Sequence, residues 1–326
     1  MELRVVSAEG VRSHPVADLP GLLCGPDLVW IDVPTWDDDA ERVLTEQLGL
    51  HPRAVRDCAS RNPVPKVHRY ADHVFVVLHA PERGARGHVH YVELDQFVGP
   101  GYVMTVHGPT NPEVPPTSAL VETDAVLRRL ESGRLRPGSP AELSFAVVTA
   151  LTNRLRDYLT SLTEEVWRLE RTVTGGHMGD PEQFLEELFQ VRHGLLAVRT
   201  MAALSIEAYG RMVTFARAVP AEAKPILYDI VDQFERVRSV ADGEKEYLQG
   251  VIEFYRARAE TKMTIAAERL AVIAVVTLPV TALSSIYGMN IIVNTSTHWV
   301  QLAVVLSIMA AISVLLLMWA KRQGWW

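Results

Sequence analysis

Hydrophobic and polar positions divide the chain into three parts with different periods. Up to about residue 110, short apolar runs alternate with turn residues, which predicts strands and short helices around a sheet. The predicted strands are 28–33, 73–79, 88–98 and 102–106, with a short helix over 40–48. From Pro140, apolar residues recur every three or four positions, which predicts long helices. The last part contains two uncharged apolar stretches, 270–287 and 299–320.

The helical part consists of two predicted helices and one much longer helix. The first covers 141–172 and ends at Gly175-Gly176, and the second runs from Pro181 to about 218, before Pro220. The third keeps one apolar stripe from about 225 to 287. Its soluble members are Leu227, Ile230, Val231, Phe234, Val237, Val240, Tyr247, Val251, Ile252 and Phe254. A helix of about 60 residues is about 90 Å long, so we expect it to pack against other copies of the chain.

Both uncharged stretches are long enough to cross a membrane, since a hydrocarbon core of about 30 Å needs about 20 helical residues. The loop between them is short, so they form a hairpin. A buried soluble helix would explain one such stretch, but two in succession with basic flanks favour membrane spans. The flanking cations are Lys262, Arg269, Lys321 and Arg322, and the loop 291–298 has none. The positive-inside rule therefore predicts that both termini are cytoplasmic.

Composition changes this picture little. The chain has 326 residues, of which 48% are hydrophobic and 22% charged, as expected for a largely water-soluble protein with a membrane part. Residues 1–4 lack the start of a signal peptide, so the soluble part is expected in the cytosol. A net charge of −7 argues against nucleic acid as a partner. Cys24 and Cys58 form no metal motif and are expected to be small core residues.

The sequence contains no motif of a common enzyme class. P-loop, GxSxG, HExxH and Rossmann patterns are absent, so neither catalysis nor an organic cofactor is expected. His88 and His90 lie on one side of a predicted strand, and histidine is a residue type that commonly binds metal ions. Because no third ligand is near them in the sequence, we expect them to be ordinary surface histidines.

The residues that end the first apolar stretch, Tyr287-Gly288-Met289-Asn290, resemble the Gly-Met-Asn motif of the CorA family of divalent-cation channels. Weaker resemblances cover nearly the whole chain, at 48–52, 57–58, 65–77, 93–97 and 103–107. The resemblance is specific because motif, position and two-span topology agree. It implies an α/β N-terminal cytosolic domain followed by long helices, one of which continues into a two-helix transmembrane hairpin. It also implies a funnel-shaped homopentamer in the inner (plasma) membrane.

The pattern and the resemblance together divide the chain into six segments. They are a cytosolic α/β domain (1–139), a cytosolic helical hairpin (140–224), a stalk helix with the first span (225–287, the span from about 268), an extracytoplasmic loop (288–298), the second span (299–320) and a basic cytosolic tail (321–326).

Gly288, Met289 and Asn290 are the expected selectivity filter. Mg2+ holds its water ligands tightly, so a pore should recognise the hydrated ion. Amide and carbonyl oxygens accept hydrogen bonds from coordinated water without trapping the ion, and a ring of Asn290 side chains would supply them. Gly288 permits close approach of the backbone. The alternative is a simple helix C-cap, since Gly and Asn both end helices.

Helical spacing back from this motif, together with the resemblance, puts Leu270, Ala274, Leu278 and Thr281 on the pore. The two leucines would act as hydrophobic constrictions that close the pore by dewetting. The alternative is that they face lipid or the second span.

A regulatory site is the next implication. Asp229 and Asp232 lie one helical turn apart, and the resemblance pairs this part of the long helix with Asp57 of a neighbouring subunit. Intracellular Mg2+ bound there would hold the pentamer closed. The alternative is a solvated acidic helix face.

Some residues depart from the family. The loop 291–298 contains no acid, and Arg56 and Asn153 stand where acids are common, so a second regulatory site is not expected.

The predicted function is influx of Mg2+, with Co2+ and Ni2+, down the electrochemical gradient. A zinc transporter of the same superfamily, with or without proton coupling, stays open. A membrane-anchored scaffold that does not conduct is the alternative from another class.

Overall fold

The structure is a computed structural model that describes residues 1–175, 180–214, 223–288 and 299–322. The chain forms two compact units, residues 1–249 and 250–326. The predicted order of an α/β region, long helices and a terminal apolar helix is confirmed.

A seven-stranded sheet is the centre of the first unit. The strands are β1 (Glu2–Ser7), β2 (Gly10–His14), β3 (Leu28–Val33), β4 (Lys66–Arg69), β5 (Val74–Arg83), β6 (Val89–Gly99) and β7 (Tyr102–His107). Their order is β2-β1-β3-β7-β6-β5-β4. Every neighbouring pair is antiparallel except β3 and β7, which are parallel. The four strands predicted from the sequence are confirmed to within a few residues.

Both faces of this sheet are covered, because β3 and β7 are buried at every position. One face holds Ile31, Phe97 and Met104 against the short helices α1 (Leu19–Leu23), α2 (Asp38–Arg42) and α3 (Pro52–Ala59). A π-helical segment, Val43–Gln47, continues α2, and the Asp37 side chain caps α2 by accepting from the amide of Ala40 at 2.7 Å. The short helix predicted over 40–48 is therefore confirmed.

Four further helices follow the sheet in the chain, and two of them are more than 30 residues long. They are α4 (Pro116–Ala119), α5 (Val121–Glu131), α6 (Pro140–Thr174) and α7 (Pro181–Thr214). Side chains cap the start of α6: the amide of Glu142 donates to Oγ of the N-cap residue Ser139 at 3.3 Å, and the amide of Gly138 donates to Glu142 Oε2 at 2.8 Å. Ser144, one turn later, donates to Gln96 Oε1 of β6 at 2.6 Å, which ties α6 to the sheet.

The longest helix, α8, runs from Ala223 to Gly288, as predicted. The apolar residues in the first half of α8 lie on two faces of the helix rather than on one. Residues 227, 230, 234 and 237 are buried, whereas Val240 is 51% and Tyr247 44% exposed. The prediction that all of them share one stripe is wrong, because Val240 and Tyr247 lie on a different side of the helix from the four buried residues.

The second unit contains the rest of α8 and the apolar helix α9 (Trp299–Arg322). Both helices are long and apolar enough to cross a membrane. Pro279 lies inside α8.

The two cysteines have different surroundings. Cys58 on α3 is buried, as predicted. Cys24 is exposed, so its prediction as a core residue is wrong: it follows the last residue of α1, in the turn that leads to β3.

Candidate cation pathway and regulatory carboxylates

The predicted pore residues lie on one exposed face of α8. Leu270, Ala274, Leu278 and Thr281 are spaced by four, four and three residues, which places them along one side of a helix. All four are exposed, and Leu270 and Leu278 are each 67% exposed. Large apolar side chains that no described part of the chain covers are available to lipid or to another copy.

The opposite face of α8 is partly covered. Its residues are Ala271, Val272, Val275, Val276, Pro279, Val280 and Leu283. A matching stripe of reduced exposure follows α9, at Val305, Met309, Ile312, Ser313, Leu316 and Ala320. Both stripes repeat every three or four residues, as along the seam of a helix pair. The face with Leu270 and Thr281 is therefore the more exposed side of this part of α8.

Two threonine hydroxyls lie on this exposed face. Thr277 Oγ1 donates to the carbonyl of Ile273 at 2.8 Å, and Thr281 Oγ1 donates to the carbonyl of Thr277 at 2.8 Å. Because their protons are used inside the helix, the oxygens point outward as acceptors. An acceptor suits the water shell of a cation, whose protons point away from the metal.

Gly288 is the last residue of α8 and is exposed. A Cβ atom built there would meet nothing within 4 Å, so contacts within this chain do not require a glycine. Met289 and Asn290, the other two predicted filter residues, lie outside the described residues.

The predicted regulatory carboxylates are separate within one chain. Asp229 and Asp232 are exposed on α8, where Asp232 pairs with Arg236 one turn later. Asp57, on α3, accepts from Lys66 Nζ at 2.6 Å. The Asp57 side chain is 30% exposed and the Lys66 side chain 27% exposed. Among the described residues, no three His, Cys, Asp or Glu side chains are arranged to hold a metal ion. A metal site built on these carboxylates therefore needs a second copy of the chain.

Beside Asp57 lies a buried polar cluster that the sequence analysis missed. Glu93 and Asp95 point from β6 toward α3, and Glu93 accepts from the amide of Asn62 at 2.7 Å. Both oxygens of Asp95 are buried with no hydrogen-bond partner in the described structure. Burial, and next the charge of Glu93, raises the pKa of Asp95 well above its usual range. The signal was available: acids at alternate positions of a strand that is otherwise apolar on that side.

A histidine completes this cluster. His79 is 1% exposed, and its Nε2 lies 2.7 Å from the carbonyl oxygen of Asn62. Burial lowers the pKa of His79 to about 4, so the ring is neutral at physiological pH.

The two histidines at the start of β6 have different surroundings. His88 is exposed, as expected for a surface residue, but His90 is only 5% exposed, so its prediction as a surface residue is wrong. It is buried because the turn between β5 and β6 folds over it, with Gly84 against its ring.

Known proteins share both sequence and fold with this chain. The family model described as CorA-like Mg2+ transporter protein matches residues 26–322. The cobalt/magnesium transport protein CorA of Thermotoga maritima is 22% identical over 341 residues, which cover 100% of this chain and 92% of that protein.

Two solved structures are also similar. The CorA magnesium transporter from Methanocaldococcus jannaschii aligns with a TM-score of 0.79 and 14% identity, over 100% of this chain and 98% of that one. The ZntB cytoplasmic domain from Vibrio parahaemolyticus aligns with a TM-score of 0.60 and 11% identity, over 80% of this chain and 98% of that one. At these identities the two structures establish the fold alone.

Proposed function

The chain belongs to the CorA-like Mg2+ transporter family, and on that premise we propose that it conducts Mg2+, and also Co2+ and Ni2+, into the cell. The family consists of metal-ion transporters, not enzymes, which agrees with the absence of catalytic motifs in the sequence. No energy source beyond the gradient is needed. An inside-negative potential favours entry of a divalent ion by about 4.6 kcal/mol per 100 mV.

One observation carries the proposal: the face of α8 that its own chain leaves free ends at Gly288, directly before Met289 and Asn290. Leu270 and Leu278 on that face would form apolar rings in an assembly, and Thr281 would offer acceptors to hydrated ions. No described atom lies within 4 Å of a Cβ atom built on Gly288, so other copies can approach there. A homopentamer that places this face around a common axis would account for the exposed leucines, the threonine acceptors and the open space at Gly288.

In this assembly, Mg2+ is both the transported and the regulatory ion. Asp229 and Asp232 of one copy would meet Asp57 of the next, and bound Mg2+ would offset the repulsion between their charges. A low cytosolic Mg2+ concentration would release the ion, loosen the interface and favour conduction. Both termini would be cytoplasmic, with the segment boundaries at 139, 224, 287, 298 and 320 proposed from the sequence.

Zinc transport is the second candidate. The likeness of the soluble fold to the ZntB cytoplasmic domain and the acid-free loop 291–298 favour it. A scaffold without conduction remains the candidate from another class, and the absence of any metal flux would favour it.

Ion influx into proteoliposomes tests these candidates. Purified protein is reconstituted with an entrapped Mg2+ dye, beside Asn290→Ala and the control Asn294→Ala, which removes the same side chain four residues further along. We expect influx in the parent and in Asn294→Ala, and loss of influx or of Mg2+ selectivity in Asn290→Ala. Absence of Mg2+ flux at every internal Mg2+ concentration would overturn the proposal, and zinc flux under a proton gradient would then favour the second candidate.

A further inference from the structure

Three imidazole rings lie in a row in the first unit, with His88 between the other two. His88 and His90 flank the start of β6, and His193 comes from α7, about one hundred residues later in the chain. The ring centroids of His88 and His90 are 4.6 Å apart, and those of His88 and His193 are 6.4 Å apart. The sequence offered only the first two histidines, and the fold supplies the third.

The turn that places His88 is fixed against α7. Arg86 and Gly87 both have left-handed backbone angles, with φ of 51° and 73°. A Cβ atom on Gly87 would lie 2.3 Å from Gln190 Cγ, so the backbone of the turn touches α7 closely. Gln190 and His193 lie three residues apart on α7, which puts His193 one turn from this contact.

The other two rings are also supported. His90 is buried, with Nε2 3.8 Å from a carboxylate oxygen of Glu113. Phe189 stacks on His193 with ring planes 9° apart and centroids separated by 6.4 Å. These contacts place His90 and His193 on either side of His88.

The spacing suits a shared metal ion. An imidazole nitrogen lies about 2.0–2.1 Å from bound zinc, so the ring centres of two tetrahedral ligands are about 5.2 Å apart. The observed 4.6 and 6.4 Å lie on either side of that value. The imidazole nitrogens do not point at one common position in this structure. Among the described residues, no three His, Cys, Asp or Glu side chains are arranged to hold a metal ion. His88 and His193 are exposed, so their rings can turn toward His90.

We propose that His88, His90 and His193 bind one transition-metal ion of the Zn2+, Co2+ or Ni2+ class, with Glu113 as an oxygen ligand or as an acceptor that orients His90. Imidazole nitrogens suit these ions, whereas Mg2+ prefers oxygen ligands in octahedral geometry. The site is independent of the proposed pathway and regulatory carboxylates. It gives the soluble unit a way to distinguish transition metals from Mg2+, which the oxygen-based sites of the pathway lack.

Zinc titration of the full-length protein in detergent, in excess Mg2+ and at about pH 7.5, tests this site. The excess Mg2+ occupies sites built from oxygen ligands, so the remaining zinc binding reports nitrogen ligands. Calorimetry should show at least one such zinc ion per chain. His88→Ala and His193→Ala should each weaken it at least about tenfold. His14→Ala, a histidine on β2 at the other edge of the sheet, should leave it unchanged.

One further readout supports the assignment. Thermal melts of the metal-free variants should match the parent, because both substituted rings are exposed. Absence of Mg2+-resistant zinc binding in the parent, or equal affinity in both folded variants, would overturn the proposal.

Discussion

At the scale of single residues, Asp95 has the most unfavourable surroundings for its charge. The carboxyl group is fully buried, and the charge of the neighbouring Glu93 also disfavours its ionised form. The folded chain therefore holds a proton there at pH values at which the unfolded chain has lost it. Because the pKa rises on folding, the stabilisation is complete below the usual value of 3.8 and is lost as the pH rises through the folded value.

Asp95→Asn should consequently stabilise the protein at high pH. The substitution keeps the shape and removes the charge, so we expect a gain of about 1–3 kcal/mol near pH 8 and almost none near pH 4. Thermal unfolding across this pH range measures it. Asp27→Asn, which changes an exposed loop acid, is the matched control and should have little effect at any pH. A loss of stability in Asp95→Asn at pH 8 would contradict the protonated state of Asp95.

The sequence could name the residue types of this cluster but not their protonation. Glu93 and Asp95 are apparent as acids on a strand, yet their pKa depends on α3, whose Cys58 side chain lies against Asp95. That neighbour is almost forty positions away in the chain.

At the scale of elements, α8 combines several faces in one helix. In the soluble unit, one face is buried in the chain and a second exposes Val240 and Tyr247. In the apolar part, a partly covered face lies opposite the exposed face of Leu270 and Leu278. Hydropathy predicts that these positions are apolar, but it does not say which of them meet the same chain, another copy or lipid.

The division of α8 into faces gives a direct test of the constriction. Leu278→Ser should open a dewetted ring and increase Mg2+ leak at high internal Mg2+ by about an order of magnitude. Leu283→Ser, on the partly covered face, should lower thermal stability without a comparable leak. Flux into proteoliposomes with entrapped Mg2+ measures both. Equal leak in the two variants would mean that Leu278 does not face the pathway.

At the scale of the whole molecule, the proposed activity requires several copies of the chain. The proposed pore face of α8 is exposed, and among the described residues Asp229 and Asp232 belong to no group of side chains that could hold a metal ion. Asp57 is occupied by Lys66 in the monomer, so metal binding at an interface would have to compete with this ion pair.

Asp229→Asn tests the proposed regulation across the interface. Loss of one carboxylate per copy should weaken Mg2+ binding, so we expect about a tenfold rise in the internal Mg2+ concentration that halves flux. Flux at graded internal Mg2+ gives this value. Glu235→Gln removes an exposed acid on the same helix and is the control. If both variants shift inhibition equally, the effect is general electrostatics rather than a site.

The sequence by itself determined four of the seven strands, the long helices, the two apolar stretches that are long enough to cross a membrane, and the motif between them. These features depend on local periodicity, on residue propensity and on length, which neighbours in the chain define. Only the tertiary structure decided that His193 lies beside His88, that Asp95 is buried under α3, and which face of α8 stays free. Each of these depends on which distant elements meet. The side-chain pattern of one element limits its possible partners, but packing selects among them.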